Sequence, residues 1–185
     1  MGGFMHIPSP LTLRTTALLL IALALASCGP KKDEFAPACP VPGLVRPLSE
    51  LSRYRGSSTD LRGLVVRARV VDVTGNCEPG ETPDTVVTHV QVLIEATRGP
   101  AMQGDSIQLP VFVAVTDSGT IYDKKLFWLP VTFTQNIDTA RATSEEVRME
   151  IPITQQKSAA VYGIIGGFQL SPEELAIWRR NNPRQ

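Results

Sequence analysis

From residue 64 onward, polar and apolar residues mostly alternate with a period of two, the spacing of half-buried strands rather than helices. In Leu64–Val73, Val66, Ala68 and Val70 share one face and Arg67 and Arg69 the other. The adjacent pair Val70-Val71 breaks the phase as a β-bulge would. Thr74–Gly80, with two glycines and a proline, is predicted as a loop. Thr85–Ala96 is the clearest strand, with Val86, Thr88, Val90, Val92, Ile94 and Ala96 pointing one way.

Ile107–Val115 alternates again, but Pro110 lacks a backbone N–H and argues for an edge position or a bulge. Asp117-Ser118-Gly119-Thr120 predicts a hairpin into Ile121–Thr134, where Phe127, Leu129, Val131 and Phe133 are in phase around Pro130. Val147, Met149, Ile151 and Ile153 mark a further strand, and the glycine-rich stretch Val161–Leu170 the last. Two segments depart from this period. Leu48–Tyr54 is expected to form one or two helical turns. Ser171-Pro172-Glu173-Glu174 is a helix start, with Ser171 and Glu174 placed to close a capping box and Pro172 at the first helical position. Arg179 and Arg180 suit the carboxyl end of that helix, and Leu175, Ile177 and Trp178 offer it an apolar side. Six or seven short strands and few helices predict a mainly β fold: an antiparallel β-sandwich, immunoglobulin- or fibronectin-III-like, with a short C-terminal helix. A small closed barrel is the main alternative.

The amino-terminal region follows different rules. Ala17–Ala26 is an uncharged apolar run, shorter than the roughly 20 residues of a membrane span and matching the apolar region of a signal peptide. Arg14 supplies the charge before it, and Met1 and Met5 both stand as possible starts. Leu25-Ala26-Ser27-Cys28 resembles the lipobox of bacterial lipoproteins. The resemblance implies cleavage before Cys28, a diacylglyceryl group on its thiol, and acylation of the new amino group with chains such as palmitate. Two or three such chains anchor stably, at about 0.8 kcal/mol per buried methylene, where one binds marginally. The expected organisation is residues 1–27 as signal peptide, 28–38 as lipidated tether, and 39–185 as the sandwich. Gly29 stands where an aspartate would resemble an inner-membrane retention signal, which favours the periplasmic face of the outer membrane.

Composition narrows the classes. The chain carries 18 basic and 18 acidic residues, so there is no field for nucleic acid. Of three cysteines, Cys28 is assigned to lipid by the resemblance, and Cys39 and Cys77 remain as an even pair in an oxidising compartment. A Cys39–Cys77 disulfide is predicted; two free or metal-binding thiols are the alternative.

Candidate chemistry is sparse. His89 is the one histidine past the signal, and no spacing joins it to Ser106, Ser118 or Asp84 as a triad would require. Glu145-Glu146 and Glu173-Glu174 read as solvated or helix-start acids. Asp72, Glu78, Glu81 and Asp84 crowd one region without the repeated spacing of a calcium loop. Gly163–Phe168 lacks the Gly-Lys-Ser/Thr ending of a phosphate loop, and its small residues are expected to admit a close neighbour. No metal and no cofactor is expected. Trp128 is out of phase with Phe127 and Leu129, so it is expected to face outward. Trp128, with a pocket near it or Tyr162, is a candidate partner or ligand surface, and Arg53, Tyr54, Arg55 and Arg62 form a second candidate patch, since Trp, Tyr and Arg are common interface anchors.

Ala38-Cys39-Pro40, Leu51–Arg55, Arg69–Cys77 and Gly167–Leu175 together resemble a group of envelope lipoproteins from alphaproteobacteria. That group implies no activity and lends no functional residue. The expected function is that of a non-catalytic, lipid-anchored envelope protein. Its partners would be the membrane, through the lipid, and another envelope protein. An envelope ligand-binding module with a pocket in the sandwich is the alternative, and a cell-wall hydrolase the third reading.

Overall fold

A computed structural model describes residues 38–56 and 59–183. Cys28, the signal region and nearly all of the tether lie outside the described residues. The strands are β1 (Pro42–Leu44), β2 (Glu50–Tyr54), β3 (Leu64–Pro79), β4 (Thr85–Arg98), β5 (Ser106–Asp117), β6 (Thr120–Thr132), β7 (Thr139–Thr143), β8 (Val147–Pro152) and β9 (Gly163–Phe168). The helix α1 (Pro172–Asn181) follows. One sheet has the order β1-β9-β5-β6; the other runs β2-β3-β4, with β7 and β8 pairing successive stretches of the far side of β4. The two sheets pack face to face as a β-sandwich, and all pairings are antiparallel except β1 with β9.

Alternation builds the core. Val86, Thr88, Val90, Val92, Ile94 and Ala96 of β4 are all buried, facing Leu109, Val111, Val113 and Val115 of β5. Leu129, Val131 and Phe133 complete the β6 side, with Phe127 half-buried. Removing such side chains from water is the main favourable contribution to folding. The expected bulge is present: β3 pairs Val70 with Ile94 and Asp72 with Leu93, leaving Val71 as the extra residue. The inward set then resumes at Val73 and Cys77.

Three local expectations are corrected. Leu48–Tyr54 is not helical; Glu50–Tyr54 is strand β2, antiparallel to β3, with Leu51 buried as its core anchor. The segment before it is a turn in which Leu48 N–H donates to Val45 C=O. Thr74–Pro79 is not a loop but the continuation of β3, held by pairing to Val86–Gln91 of β4. Propensity loses there to a long partner strand. Pro110 sits in β5, an interior strand. Its carbonyl accepts from Gln169 N–H just past the last β5–β9 pair, Val111 with Phe168, so its missing donor faces the place where β9 ends. Pro130 lies on β6, an edge strand, as a proline should.

Glycines of β9 bring the layers close. A Cβ on Gly166 would come within 2.6 Å of Val73 Cγ2, and one on Gly167 within 2.9 Å of the Leu48 carbonyl oxygen. The capping box forms as expected: Glu174 N–H donates to Ser171 Oγ at 3.1 Å, and Ser171 N–H donates to Glu174 Oε2 at 2.9 Å.

Candidate functional site

Cys39 and Cys77 form a disulfide with Cα atoms 5.8 Å apart. Cys77 sits on β3 opposite Thr88, whereas Cys39 precedes β1 of the other sheet. The bond therefore staples the segment leading into one sheet to a strand of the other. No metal-binding group of three or more acidic, histidine or cysteine side chains occurs among the described residues. Asp72 instead accepts from Val73 N–H, and Glu78 is engaged by His89.

His89 lies on the outer face of β4, between Asn76 of β3 and Arg148 of β8. Its Nδ1 is 2.6 Å from Glu146 Oε1 and its Nε2 3.0 Å from Glu78 Oε1. Hydrogen bonds to Glu78 first, and to Glu146, raise the imidazole pKa above 6.5. Both ring nitrogens point at carboxylates, which favours a charged ring joining β3, β4 and the β7–β8 connection. Ser106 opens β5 in the other sheet and Ser118 follows its end, where Ser118 Oγ donates to its neighbour Asp117. Asp84 lies in the turn between β3 and β4. The fold brings none of these to His89.

The surface candidates divide. Trp128 is 62% exposed and stands opposite Pro110 on the outer face of the β5–β6 pair. With Arg53, Tyr54, Leu126 and Ile177 it lines an open groove of about 600 Å³ between β6, β2 and α1. Arg53 sets one wall: its Nε donates to Glu174 Oε1 at 2.9 Å and its Nη1 reaches the Gln108 carbonyl at 3.4 Å. Three predicted residues from two separate parts of the chain thus share one site. Arg55 turns elsewhere, donating from Nη2 to the Ala101 carbonyl at 2.8 Å.

Tyr162 is corrected. It is 6% exposed and belongs to the core. Tyr122 packs edge-on against it at 6.0 Å and the Lys157 ammonium lies 4.5 Å above its ring. It follows a 3-10 turn into β9 beside Gly163, which pairs with Thr116, whereas Trp128 pairs with Pro110. Six residues of β5 separate those positions, about 20 Å at ~3.3 Å per residue.

Sequence reasoning missed the His89–Glu78–Glu146 cluster, because Glu78 was assigned to a loop and Glu146 to solvent. The alternation of β3 carried far enough would have placed Glu78 beside His89. It also passed over an outer-face charge row. Register aligns Glu50, Arg69, Glu95 and Arg141 across four strands, and Glu95 accepts from Arg69 at 2.7 Å and from Arg141 at 2.9 Å. Those arginines hold the Glu95 carboxyl below its ordinary pKa. Comparison with known protein families, curated proteins and solved structures returns no match for this chain.

Proposed function

We propose that this protein is a non-catalytic, lipid-anchored component of the bacterial cell envelope, held through Cys28, and that it binds another envelope protein at the Trp128–Tyr54–Arg53 groove. The carrying observation is Trp128: a large indole 62% exposed beside Tyr54 and the anchored guanidinium of Arg53. Trp, Tyr and Arg dominate binding energy at protein interfaces, and a rigid, part-built site loses little entropy on binding. The Cys39–Cys77 disulfide supports an oxidising compartment. The occupation of both His89 nitrogens by carboxylates supports a structural rather than catalytic role for the histidine.

A photo-crosslinking amino acid placed at Trp128 in cells tests this reading. One discrete protein adduct, absent when the crosslinker replaces the solvent-facing Gln91 on β4, supports it. A smear equal at both positions, or no adduct at either, contradicts it.

A further inference from the structure

A second cavity lies on the other side of α1, over the outer face of β2, β3 and β4. Its volume is about 420 Å³, and it is lined by Glu50, Ser52, Arg67, Arg69, Glu95 and Thr97 from the sheet and by Glu174, Trp178 and Asn181 from the helix. Register explains its floor. Arg67 of β3 stands between Ser52 of β2 and Thr97 of β4, so both cross-strand neighbours are neutral hydroxyls. Two positions along β3, Arg69 stands instead between Glu50 and Glu95.

The acids of the lining are engaged. Glu95 is shared by Arg69 and Arg141, Glu174 is bound by Arg53 and by the capping box, and Glu50 accepts from Trp178 Nε1 at 3.3 Å. The exposed Arg67 guanidinium has no carboxylate partner among the described residues. The lining holds Arg67 and Arg69 with Glu50, Glu95 and Glu174; Arg53 and Arg141 bind Glu174 and Glu95 from outside it, so Arg67 is the lining guanidinium left without a carboxylate. A planar guanidinium with unused donors, flanked by hydroxyls, a carboxamide and an indole, matches a planar monoanion. The volume suits a ligand of roughly dipeptide size, within the range of small-molecule sites.

We propose that this cavity binds a carboxylate, borne by a short peptide or a small organic acid, with Arg67 as its recognition residue. The site is separate from the Trp128 groove and does not depend on it. A dianionic phosphate fits less well, because it would face Glu50 with one guanidinium to balance it.

The test uses the two indoles of the chain. Full-length protein in detergent micelles is titrated with N-acetyl-Ala-Ala, its C-terminal amide, propionate and inorganic phosphate, while the indole N–H resonances are followed by NMR. Saturable movement of the Trp178 resonance with N-acetyl-Ala-Ala, Trp128 staying still and the amide having no effect, supports the proposal. A response to the peptide alone identifies a peptide terminus, and an equal response to propionate identifies the carboxylate group itself. Arg67→Gln should weaken binding roughly tenfold to a hundredfold and Arg67→Lys less, with Arg179→Gln unchanged. Equal responses to acid and amide, tighter binding of phosphate, no saturable response to either carboxylate, or full binding by the folded Arg67→Gln chain would each overturn it.

Discussion

Arg53 Nε and Glu174 Oε1 lie 2.9 Å apart and join β2 to α1 across 121 positions of sequence. The other oxygen of Glu174 accepts from Ser171 N–H and closes the capping box. One carboxylate therefore both starts the helix and fastens it to the sheet, at the wall between the two outer-face cavities. No residue of α1 is buried, so this attachment matters more than it would for a helix with a core face. Glu174→Ala should destabilise by about 1–2 kcal/mol, and Ser171→Ala, which loses the cap alone, by about 1 kcal/mol. Urea titration followed by far-UV circular dichroism gives both values. A larger loss for Ser171→Ala would contradict the double role.

The disulfide closes a loop with a sequence separation of 38. In the chain-entropy model such a link stabilises by roughly 3–4 kcal/mol. The Cys39→Ala, Cys77→Ala double variant should lose about that much in chemical denaturation. Reducing agent should lower the wild-type midpoint toward that of the variant and leave the variant unmoved. A variant as stable as wild type would refute the staple.

His89 provides a pH signature. Its folded pKa is raised, chiefly by hydrogen bonds to Glu78 and Glu146. A raised folded pKa means that its contribution is fully present below the unfolded value of about 6.5 and fades as pH rises through the folded value. Both carboxylates are more than half exposed, so the contribution is small. The imidazole should titrate above 6.5 by NMR, and Glu78→Gln and Glu146→Gln should each lower the midpoint. A midpoint at or below 6.5 in the wild type contradicts the cluster.

Among the glycines of β9, Gly166 is the one where an added methyl group would come nearest the opposite sheet. A methyl group there meets Cγ2 of Val73 at 2.6 Å and Cγ2 of Val92 at 3.2 Å, both short, stiff side chains in the core. Gly166→Ala should cost about 1–3 kcal/mol by overpacking, whereas Gly43→Ala, whose nearest atom would be 3.8 Å away, should cost less. Thermal unfolding of the two variants decides this, and equal midpoints would count against the close approach.

What was legible in the sequence tracks how strictly position dictated residue type. The β4 face from Val86 to Ala96 alternates because one side of that strand is wholly buried, and reading it yields the sandwich. The outward turn of Trp128 follows from the same parity. The helix start was readable because Ser171, Pro172 and Glu174 meet local backbone needs. Failures arose where pairing overrode local character. Thr74–Pro79 has turn composition, yet β4 continues opposite it and captures it as strand. β7 went unseen because its inward residues, Ala140 and Ala142, are too small to announce a core face. Tyr162 went astray because an aromatic beside glycines gives no sign of which side it faces, and only Tyr122 and Lys157 above it reveal its burial. Of the candidate site, Arg53, Tyr54 and Trp128 were named, but their convergence depends on β2, β6 and α1 meeting, and no local pattern encodes that.

The proposed envelope role rests on the modification at Cys28. Mass analysis of the amino-terminal peptide, from protein purified out of native membranes, tests it most directly. The account predicts a peptide beginning at Cys28 and carrying the mass of a diacylglyceryl group, with the Cys28→Ala chain uncleaved there and free of palmitate label. A mature chain that begins at any other residue, or a Cys28 recovered without lipid, would contradict it.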